Sequence, residues 1–520
     1  MAIENKPFLR KIEMLLIVFF ALHSFAFILF TSHEGDAGTH GYTAKLVYSG
    51  KCLYRDVFFA QGPLLPYFYG FFQKTILGFS VVTGRLITLL IGIITCLLIA
   101  RTARRLEDEI ASLVALGLIC VNTAIIWDYS LFKTYPLSGL LFLASASVLA
   151  SGLKNAVKNA LALSLIGIAV SQRFTAALVW VLVFLYILLT QWGKWKDIVI
   201  GLIAGLLVIG AIFAPFLIIC PDQFIHDVFI WQMTRSQATA FQIWDNRLTA
   251  WLFAARNYYI FAIISVLALV ISIMSVRNKH DIPSFVKRNA LYILLAAIII
   301  SISAGYMLIP KPTAPDYIVD VIPLACVFAG CAFSRIYRQI QHSLGKTVFF
   351  AMVATMVLYT PLITGNYYID HWQMYLDFGK LPCIGYDNVI SYVKANTQPR
   401  DKLLTFKAWI PLESGRELIS GFEGAELSYH PHLDFYEVKK YRLVNDESII
   451  RHLLAKDASL VIFSRDNILM LRSHKPYLRE AAKPVFTDEQ YAKYTVERIL
   501  AAEYSLKNII KDIYIFAPKK

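Results

Sequence analysis

The sequence is poor in charged residues and contains none of the linkers or repeats that mark a soluble multidomain protein. Only 17% of its 520 residues are charged, whereas 57% are hydrophobic, and the mean hydropathy is +0.55. It has no internal repeat, no low-complexity segment and no Gly/Ser-rich linker. This composition excludes a water-soluble globular protein and indicates a chain that lies mostly within a membrane.

Cysteine is scarce, and it shows no spacing typical of a metal site. The seven cysteines are odd in number and are not arranged in pairs. Four of them fall in or near apolar runs, where a small apolar residue is the simplest explanation. Cys52, Cys220 and Cys383 fall on the predicted outer side of the membrane, and a disulfide between two of these three is an open alternative.

Long apolar runs dominate the first two-thirds of the chain. A run of about 20 apolar residues is long enough to cross a hydrocarbon core about 30 Å thick. The first run has no small-residue cleavage site behind it, which is typical of a retained helix rather than a signal peptide. The sequence predicts a polytopic α-helical membrane protein with about 11 transmembrane helices, at residues 12–30, 82–100, 110–127, 134–152, 157–170, 174–190, 197–220, 257–276, 289–309, 316–334 and 347–364.

The basic residues predict the orientation of these helices. The net charge of +14 could by itself indicate a nucleic-acid partner. With the N-terminus in the cytoplasm, however, seventeen Lys and Arg residues fall at inner helix ends and three in short outer connections, as the positive-inside rule requires. We therefore expect no nucleic-acid partner. The inner set is Lys6, Arg10, Lys11, Arg101, Arg104, Arg105, Lys154, Lys158, Lys194, Lys196, Arg277, Lys279, Lys287, Arg288, Arg335, Arg338 and Lys346, and the outer set is Lys133, Arg173 and Lys311.

The chain divides into a membrane part and a polar C-terminal part. Residues 1–364 are predicted to form the transmembrane domain, interrupted by long outer loops at 31–81 and 221–256. Residues 365–520 show mixed periodicity, which predicts a C-terminal extracytoplasmic α/β domain. Within it we expect helices at 387–395 and 447–455 and buried strands at 402–409, 459–464 and 512–517.

Polar and charged residues concentrate at the predicted outer ends of the helices. A charge near the bilayer centre costs about 2.5–3.5 kcal/mol, so such a cluster needs a reason. Local ion pairs, such as Lys311 with Asp316 or Asp320 and Lys133 with Asp128, would explain any one pair. A polar cavity explains the whole set better. The candidate site residues are Asp36, Tyr42, Tyr54, Arg55 and Asp56 in the first outer loop, together with Lys133, Arg173, Lys311 and Asp316.

Several short motifs accompany these residues. In the first outer loop, Asp36 precedes a short predicted helix and lies twenty residues before Asp56. Further motifs follow in the membrane part. The set comprises Gly-x-x-x-Tyr-Arg-Asp at residues 50–56, Gly-Pro-Leu at 62–64, Ser-Gln-Arg-Phe-Thr at 171–175, Pro-Asp-Tyr at 315–317 and Ile-Pro-Leu at 322–324.

Together these motifs resemble the bacterial members of the GT-C glycosyltransferase superfamily, in particular the protein O-mannosyltransferase and aminoarabinose-transferase-like branch (glycosyltransferase family 39). The chain departs from that pattern in two places. Asp36 is followed by Ala37, where many relatives have Asp-Glu, and Asp316-Tyr317 stands where relatives often have His-Tyr or Arg-Tyr. The resemblance implies a bacterial inner-membrane enzyme with a periplasmic C-terminal domain. It also implies transfer of a sugar, with inversion, from a polyprenyl-phosphate carrier to an acceptor hydroxyl of unknown identity.

This chemistry assigns roles to the candidate residues. An acceptor hydroxyl is a poor nucleophile, so a carboxylate must take its proton, and we assign Asp36 as this catalytic base. The departing phosphate needs cations, and Arg173 suits this best because a guanidinium can hold two phosphate oxygens. Lys133, Lys311 and Arg55 are further candidates for the donor phosphate.

The other candidates keep more than one interpretation. Asp56 could orient Arg55, bind a divalent cation or contact a sugar hydroxyl, and Asp316 could contact substrate or metal. Tyr42 and Tyr54 could stack on the sugar or could be interfacial aromatic residues. A zinc site built from His33, His40 and Asp36 is conceivable, but we expect no metal as a required cofactor, with a divalent cation left open.

Other functions fit less well. A transporter or flippase for lipid-linked sugars would predict repeated halves and helices broken near the midplane, which the sequence lacks. A polysaccharide polymerase or ligase would be expected to centre on a late outer loop rather than on the first one. An inert scaffold would leave the first loop unexplained.

Overall fold

The computed structural model describes residues 6–33, 35–234, 247–249, 251–259, 261, 263–264, 282–308, 315–340, 342–363, 376, 381–473 and 496–519. The chain forms two compact units. The helical unit comprises Met1–Leu29, Leu86–Phe213 and Ser236–Met374, and the mixed unit comprises Phe30–Arg85, Ala214–Arg235 and Tyr375–Lys520. The predicted division was a single boundary at residue 364. In the structure, the mixed unit instead combines the C-terminal residues with two earlier segments, which belong to the predicted outer loops.

Helices of membrane-spanning character form the helical unit. Within the described residues, five helices are long and apolar enough to cross a bilayer, and five further apolar helices are shorter. The long ones are Pro7–Phe30, Val81–Leu106, Trp195–Ile219, Asn289–Tyr306 and Tyr317–Gln339; the short ones are Glu109–Cys120, Tyr135–Leu149, Asn155–Val170, Ala176–Thr190 and Leu344–Thr360. They correspond to ten of the eleven predicted runs. The polytopic helical class is thereby confirmed, and the run at 257–276 lies mostly outside the described residues.

Two of the predicted spans differ in detail from the structure. The run at 110–127 breaks after Cys120, because the Asn122 side chain accepts a hydrogen bond from the Ile125 N–H (3.2 Å) and starts a new helix, Thr123–Asp128. The run at 316–334 begins as a 3₁₀ segment, Pro315–Val321, before the α-helix Ile322–Gln339. The polar side chain of Asn122 explains the first break, and Pro323 in the first turn of the α-helix explains the second.

A five-stranded sheet organises the C-terminal part of the mixed unit. Its strands are β1 (Lys402–Thr405), β2 (Glu417–Leu418), β3 (Leu460–Ser464), β4 (Tyr504–Ile510) and β5 (Ile513–Pro518), in the order β2-β1-β3-β5-β4. β1 pairs in parallel with β2 and β3, whereas β5 is antiparallel to β3 and β4. Each residue of β3 is buried, as expected for the central strand of a covered sheet.

The mixed unit also contains short helices that cover the sheet and build the loops. The predicted helices at 387–395 and 447–455 are present. The predicted strand at 402–409 ends at Thr405, because Trp409 begins a helix that stops at Gly415 in the left-handed conformation. The helices are Asp36–Tyr48, Leu64–Phe72, Gln73–Leu77 (π), Pro221–Ile225, His226–Ile230 (π), Trp231–Thr234, Pro382–Ile384 (3₁₀), Asp387–Asn396, Trp409–Ser414, Ala425–Ser428 (3₁₀), Phe435–Tyr441, Asp446–Ala455, Arg465–Ser473 and Val496–Glu503.

The first-loop helix, Asp36–Tyr48, is a core element of the mixed unit. It is the short helix predicted after Asp36, and its residues from 37 to 44 are buried. Gly38 lies against the helix Trp409–Ser414, where a Cβ on Gly38 would come within 2.7 Å of the Trp409 backbone nitrogen. Only glycine permits this close approach of two helices.

Gly38→Ala is therefore expected to destabilise the protein by about 1–3 kcal/mol, because the added methyl group meets backbone that cannot move aside. Gly210→Ala is the matched control, since Gly210 lies in the helix Trp195–Ile219 with open space around its Cα. Thermal unfolding of the detergent-purified variants measures both effects. Equal melting temperatures for the two variants would contradict the packing described here.

Candidate active site

Asp36 lies at the edge of a pocket in the mixed unit. It is the first residue of the first-loop helix, and its side chain is exposed. His40 follows one turn later on the same face of the helix. The pocket is small, with a free volume of about 10 Å³, close to the space that one water molecule needs. It is lined by Asp36, Thr39, His40, Phe58, Phe59, Ala60, Gln61, Gly424 and Leu427.

The Asp36 side chain is exposed and lies where a ligand can approach it. Within the described part of the chain, no hydrogen bond or ion pair engages its side chain. Gly35 precedes it at φ 84° and supplies no side-chain cap, so the first N–H groups of the helix are not capped by a side chain. The partial positive charge at a helix N-terminus favours an anion there.

Aromatic residues form the wall of the pocket opposite the first-loop helix. The His40 and Phe59 rings meet edge to face at 6.0 Å. Phe58 and Ala60 belong to a buried apolar cluster with Trp231, Val438 and Leu443. The wall is therefore part of a packed core and holds its shape without a ligand.

A buried carboxylate supports this wall. The backbone N–H of Phe59 donates to the Asp227 carboxylate at 3.3 Å, and His226 Nδ1 lies 2.9 Å from the same carboxylate. Burial raises the pKa of Asp227 well above its usual value, and it lowers the pKa of His226 to about 4. Sequence reasoning missed Asp227. Its one signal is an acid placed between the apolar residues Phe224, Val228 and Trp231.

The C-terminal part of the chain contributes the remaining side of the pocket. Gly424 and Leu427 both line it. A Cβ on Gly424 would come within 2.5 Å of both the Phe58 ring and Ser428 Oγ, so the position requires glycine. Residues nearly four hundred positions apart thus line the same pocket. Of the site residues predicted from the sequence, Asp36 lines it.

Arg55 and Asp56 form a pair with each other. Two nitrogens of Arg55 donate to the two oxygens of Asp56, each at 2.9 Å, and the Cys52 N–H also donates to Asp56 at 2.8 Å. The Arg55 guanidinium holds the pKa of Asp56 below its usual range. Of the three predicted roles for Asp56, orienting Arg55 is the one that this geometry supports.

Tyr42 and Tyr54 have structural positions, which corrects their assignment as sugar-stacking residues. Tyr42 is 2% exposed, and its hydroxyl accepts a hydrogen bond from the Leu418 N–H at 2.9 Å. Tyr54 is fully buried at φ 64°, and its hydroxyl donates to the Gln61 carbonyl at 2.6 Å. Neither ring has a free face for a sugar, because both are buried within the mixed unit.

Arg173 occupies a tyrosine-lined site in the helical unit. It lies in the turn between the helices Asn155–Val170 and Ala176–Thr190, 3.2 Å from the carboxylate of Asp320, which is 1% exposed. One guanidinium nitrogen donates to the Tyr306 hydroxyl at 2.6 Å. The guanidinium also stacks over Tyr135 at 4.2 Å and lies 5.9 Å from the centre of Tyr317. Among the described residues Asp320 thus pairs with Arg173, whereas Lys311, the alternative partner that the sequence offered, lies outside them.

The other cations predicted at the donor phosphate are less well placed or lie outside the description. Lys133 Nζ is 5.7 Å from the centre of the Tyr135 ring, in the connection before the helix Tyr135–Leu149. Lys311 lies outside the described residues, and so does the side chain of Asp316. Their roles stay predictions.

The histidines of the first loop are buried. His33 Nε2 lies 3.8 Å from the Glu413 carboxylate, and burial together with Arg85 lowers the pKa of His33 to about 3. His40 is 3% exposed. Among the described residues, no group of three His, Cys, Asp or Glu is placed to hold a metal ion.

Known proteins resemble this chain over most of its length. Residues 60–219 match the family model described as dolichyl-phosphate-mannose-protein mannosyltransferase. The structure of ArnT from Cupriavidus metallidurans bound to undecaprenyl phosphate is 14% identical and covers 96% of this chain and 97% of its own, with a TM-score of 0.61. The chain has the GT-C fold. No curated protein is significantly similar in sequence.

A second GT-C structure agrees. The oligosaccharyltransferase AglB from Archaeoglobus fulgidus, solved with an inhibitory peptide and a dolichol-phosphate, is 12% identical and covers 88% of this chain and 69% of its own, with a TM-score of 0.51. The GT-C resemblance predicted from short motifs is therefore confirmed.

The matched family segment begins at residue 60, so it includes Arg173 and part of the pocket wall but not Asp36 or Asp56. The assignment of Asp36 therefore depends on the geometry of the pocket.

Proposed function

We propose that this GT-C protein transfers a sugar from a polyprenyl-phosphate carrier to a hydroxyl group of an acceptor, with inversion at the anomeric carbon. The observation that carries the proposal is the unengaged Asp36 carboxylate at the mouth of a partly aromatic pocket. The two solved relatives support the donor class, since one holds undecaprenyl phosphate and the other a dolichol-phosphate.

Asp36 acts as the general base in this reaction. Its carboxylate takes the proton of the acceptor hydroxyl while that oxygen attacks the anomeric carbon from the side opposite the phosphate. The bond between the sugar and the phosphate oxygen breaks, and polyprenyl phosphate leaves as an anion. Proton transfer to a positioned base typically contributes about 10²–10⁴-fold to the rate.

Arg173 is our candidate for stabilising the departing phosphate. Its guanidinium is 12% exposed and held by tyrosines on several sides, so it is fixed before the donor arrives. A preorganised cation of this kind stabilises charge that develops in the transition state. The predicted orientation of the helices places both Arg173 and Asp36 on the outer side of the membrane. Lys133, Lys311 and Arg55 remain further candidates.

The acceptor contacts both chain segments that line the pocket. Gly424 and Leu427 bring the C-terminal part of the chain to the Asp36 pocket, so we propose that this part helps to select the acceptor. The proposal covers a lipid, a glycan or a protein as the acceptor and a hexose or a pentose as the sugar. A divalent cation would find Asp36 and His40 on one helix face, but the described residues supply no third ligand, and no step depends on one.

The experiment incubates detergent-purified protein with a panel of polyprenyl-phosphate and polyprenyl-pyrophosphate sugars and a mixture of candidate acceptors. A transferase converts the donor to free polyprenyl phosphate, and the sugar in the product has the opposite anomeric configuration by NMR. A transporter would leave every donor intact in detergent. Consumption of pyrophosphate-linked donors alone would favour a polymerase or ligase instead.

A further inference from the structure

Two cysteines from distant parts of the chain meet beside the first loop. Cys52 Sγ lies 3.6 Å from the Leu53 carbonyl oxygen, and Cys220 Sγ lies 3.7 Å from the same atom. Cys52 is half-buried and Cys220 is buried. Burial and the neighbouring Cys52 thiol raise the pKa of Cys220 to about 11, which agrees with two thiols in close proximity.

We propose that Cys52 and Cys220 form a disulfide in the mature protein. Both residues belong to the mixed unit, and the predicted orientation places both on the outer side of the membrane. Disulfides form and persist in oxidising compartments such as the bacterial periplasm. Of the three outer cysteines, Cys52 and Cys220 would then be the pair. This proposal does not depend on the proposed transfer reaction.

The oxidation needs a partner, and we assign that part to a protein dithiol oxidase of the same compartment. The more accessible thiolate of Cys52 attacks one sulfur of the oxidase disulfide, which forms a mixed disulfide and releases one oxidase thiolate. The Cys220 thiolate then attacks the Cys52 sulfur, and the second oxidase thiolate leaves. The two protons lost by the protein thiols end on the two oxidase thiolates, and the oxidase receives both electrons.

This bond would join the two segments that shape the pocket wall. On one side, Cys52 donates through its N–H to Asp56 and lies two residues before the strained backbone of Tyr54. On the other side, Cys220 begins the segment that carries Asp227, whose carboxylate accepts from the Phe59 N–H. A crosslink between the two segments removes freedom from the unfolded chain and stabilises their native contact.

The first test maps cysteine oxidation in protein purified from membranes without reductant. Free thiols are alkylated in denaturant, and the digest is analysed by mass spectrometry. We expect a linked peptide pair containing Cys52 and Cys220. Cys96 and Cys120 are the built-in control, because their sulfurs are 3.9 Å apart but lie in apolar helices away from the oxidant, so both should be alkylated. Alkylation of both Cys52 and Cys220, or a link from either to Cys383, would overturn the proposal.

The second test separates a crosslink from two unrelated packing effects. Cys52→Ser and Cys220→Ser should lower the melting temperature by the same amount, and the double variant should lower it no further, because each change removes the same bond. In reductant, the melting temperatures of these variants and of the wild type should be equal. Cys383→Ser should not lower the melting temperature in this way, because the proposed bond does not include Cys383. Additive losses that persist in reductant would contradict the disulfide.

Discussion

Asp36→Asn is expected to lower kcat for sugar transfer by about 10²–10⁴-fold, with little change in donor affinity. Asparagine has nearly the same shape but cannot accept the proton of the acceptor hydroxyl. Donor affinity should be retained because the base contacts the acceptor and not the phosphate. Steady-state transfer kinetics, together with donor binding measured by calorimetry, separate the two quantities.

Asp56→Asn is the matched control for this prediction. It removes an acid of the same loop whose two oxygens are already engaged by Arg55 and the Cys52 N–H. We expect it to cost activity through the position of Arg55, and to a smaller extent than Asp36→Asn. An equal or larger loss in Asp56→Asn, or normal kcat in Asp36→Asn, would exclude Asp36 as the base.

Arg173→Met is expected to destabilise the folded protein by about 3–5 kcal/mol as well as to abolish transfer. The substitution leaves the carboxylate of Asp320, 1% exposed, without its cation in a buried site. It also removes the guanidinium that stacks over the Tyr135 ring at 4.2 Å. Thermal unfolding in detergent measures the first effect, and donor turnover measures the second.

Two further variants separate the structural role of Arg173 from its role at the phosphate. Arg173→Met combined with Asp320→Asn removes both charges, so we expect most of the stability to return while transfer stays absent. Arg173→Lys keeps the charge but loses the planar fork that can hold two phosphate oxygens, and it should raise the donor KM. Full activity in the double variant would show that Arg173 serves the fold alone.

The sequence was most informative about the membrane part of the fold. A run of apolar residues long enough to cross the bilayer is a local property, and ten predicted runs have helical counterparts in the structure. The breaks at Asn122 and Pro323 were harder to predict, because an apolar run conceals a cap or a proline that interrupts it. β2 was missed for a different reason, since its two residues carry no periodicity.

The candidate site shows why polar residues are harder to assign than helices. Asp36 was predicted as the base because a carboxylate at a loop start fits that role; the structure shows that it lines a pocket, and its role stays a proposal. For Tyr42 and Tyr54 the sequence left a sugar contact and an interfacial position open, since their partners, Leu418 and Gln61, depend on the tertiary fold. Asp227 was missed, because its role is to hold the Phe59 backbone from a segment far along the chain.

The measurement that tests this account most directly is release of free polyprenyl phosphate from polyprenyl-phosphate sugars, with purified wild type and Asp36→Asn compared side by side. The account predicts release by wild type from at least one donor and, at equal folded protein, about 10²–10⁴-fold slower release by Asp36→Asn. Equal rates from the two proteins, or no release from any donor by folded wild type, would contradict it.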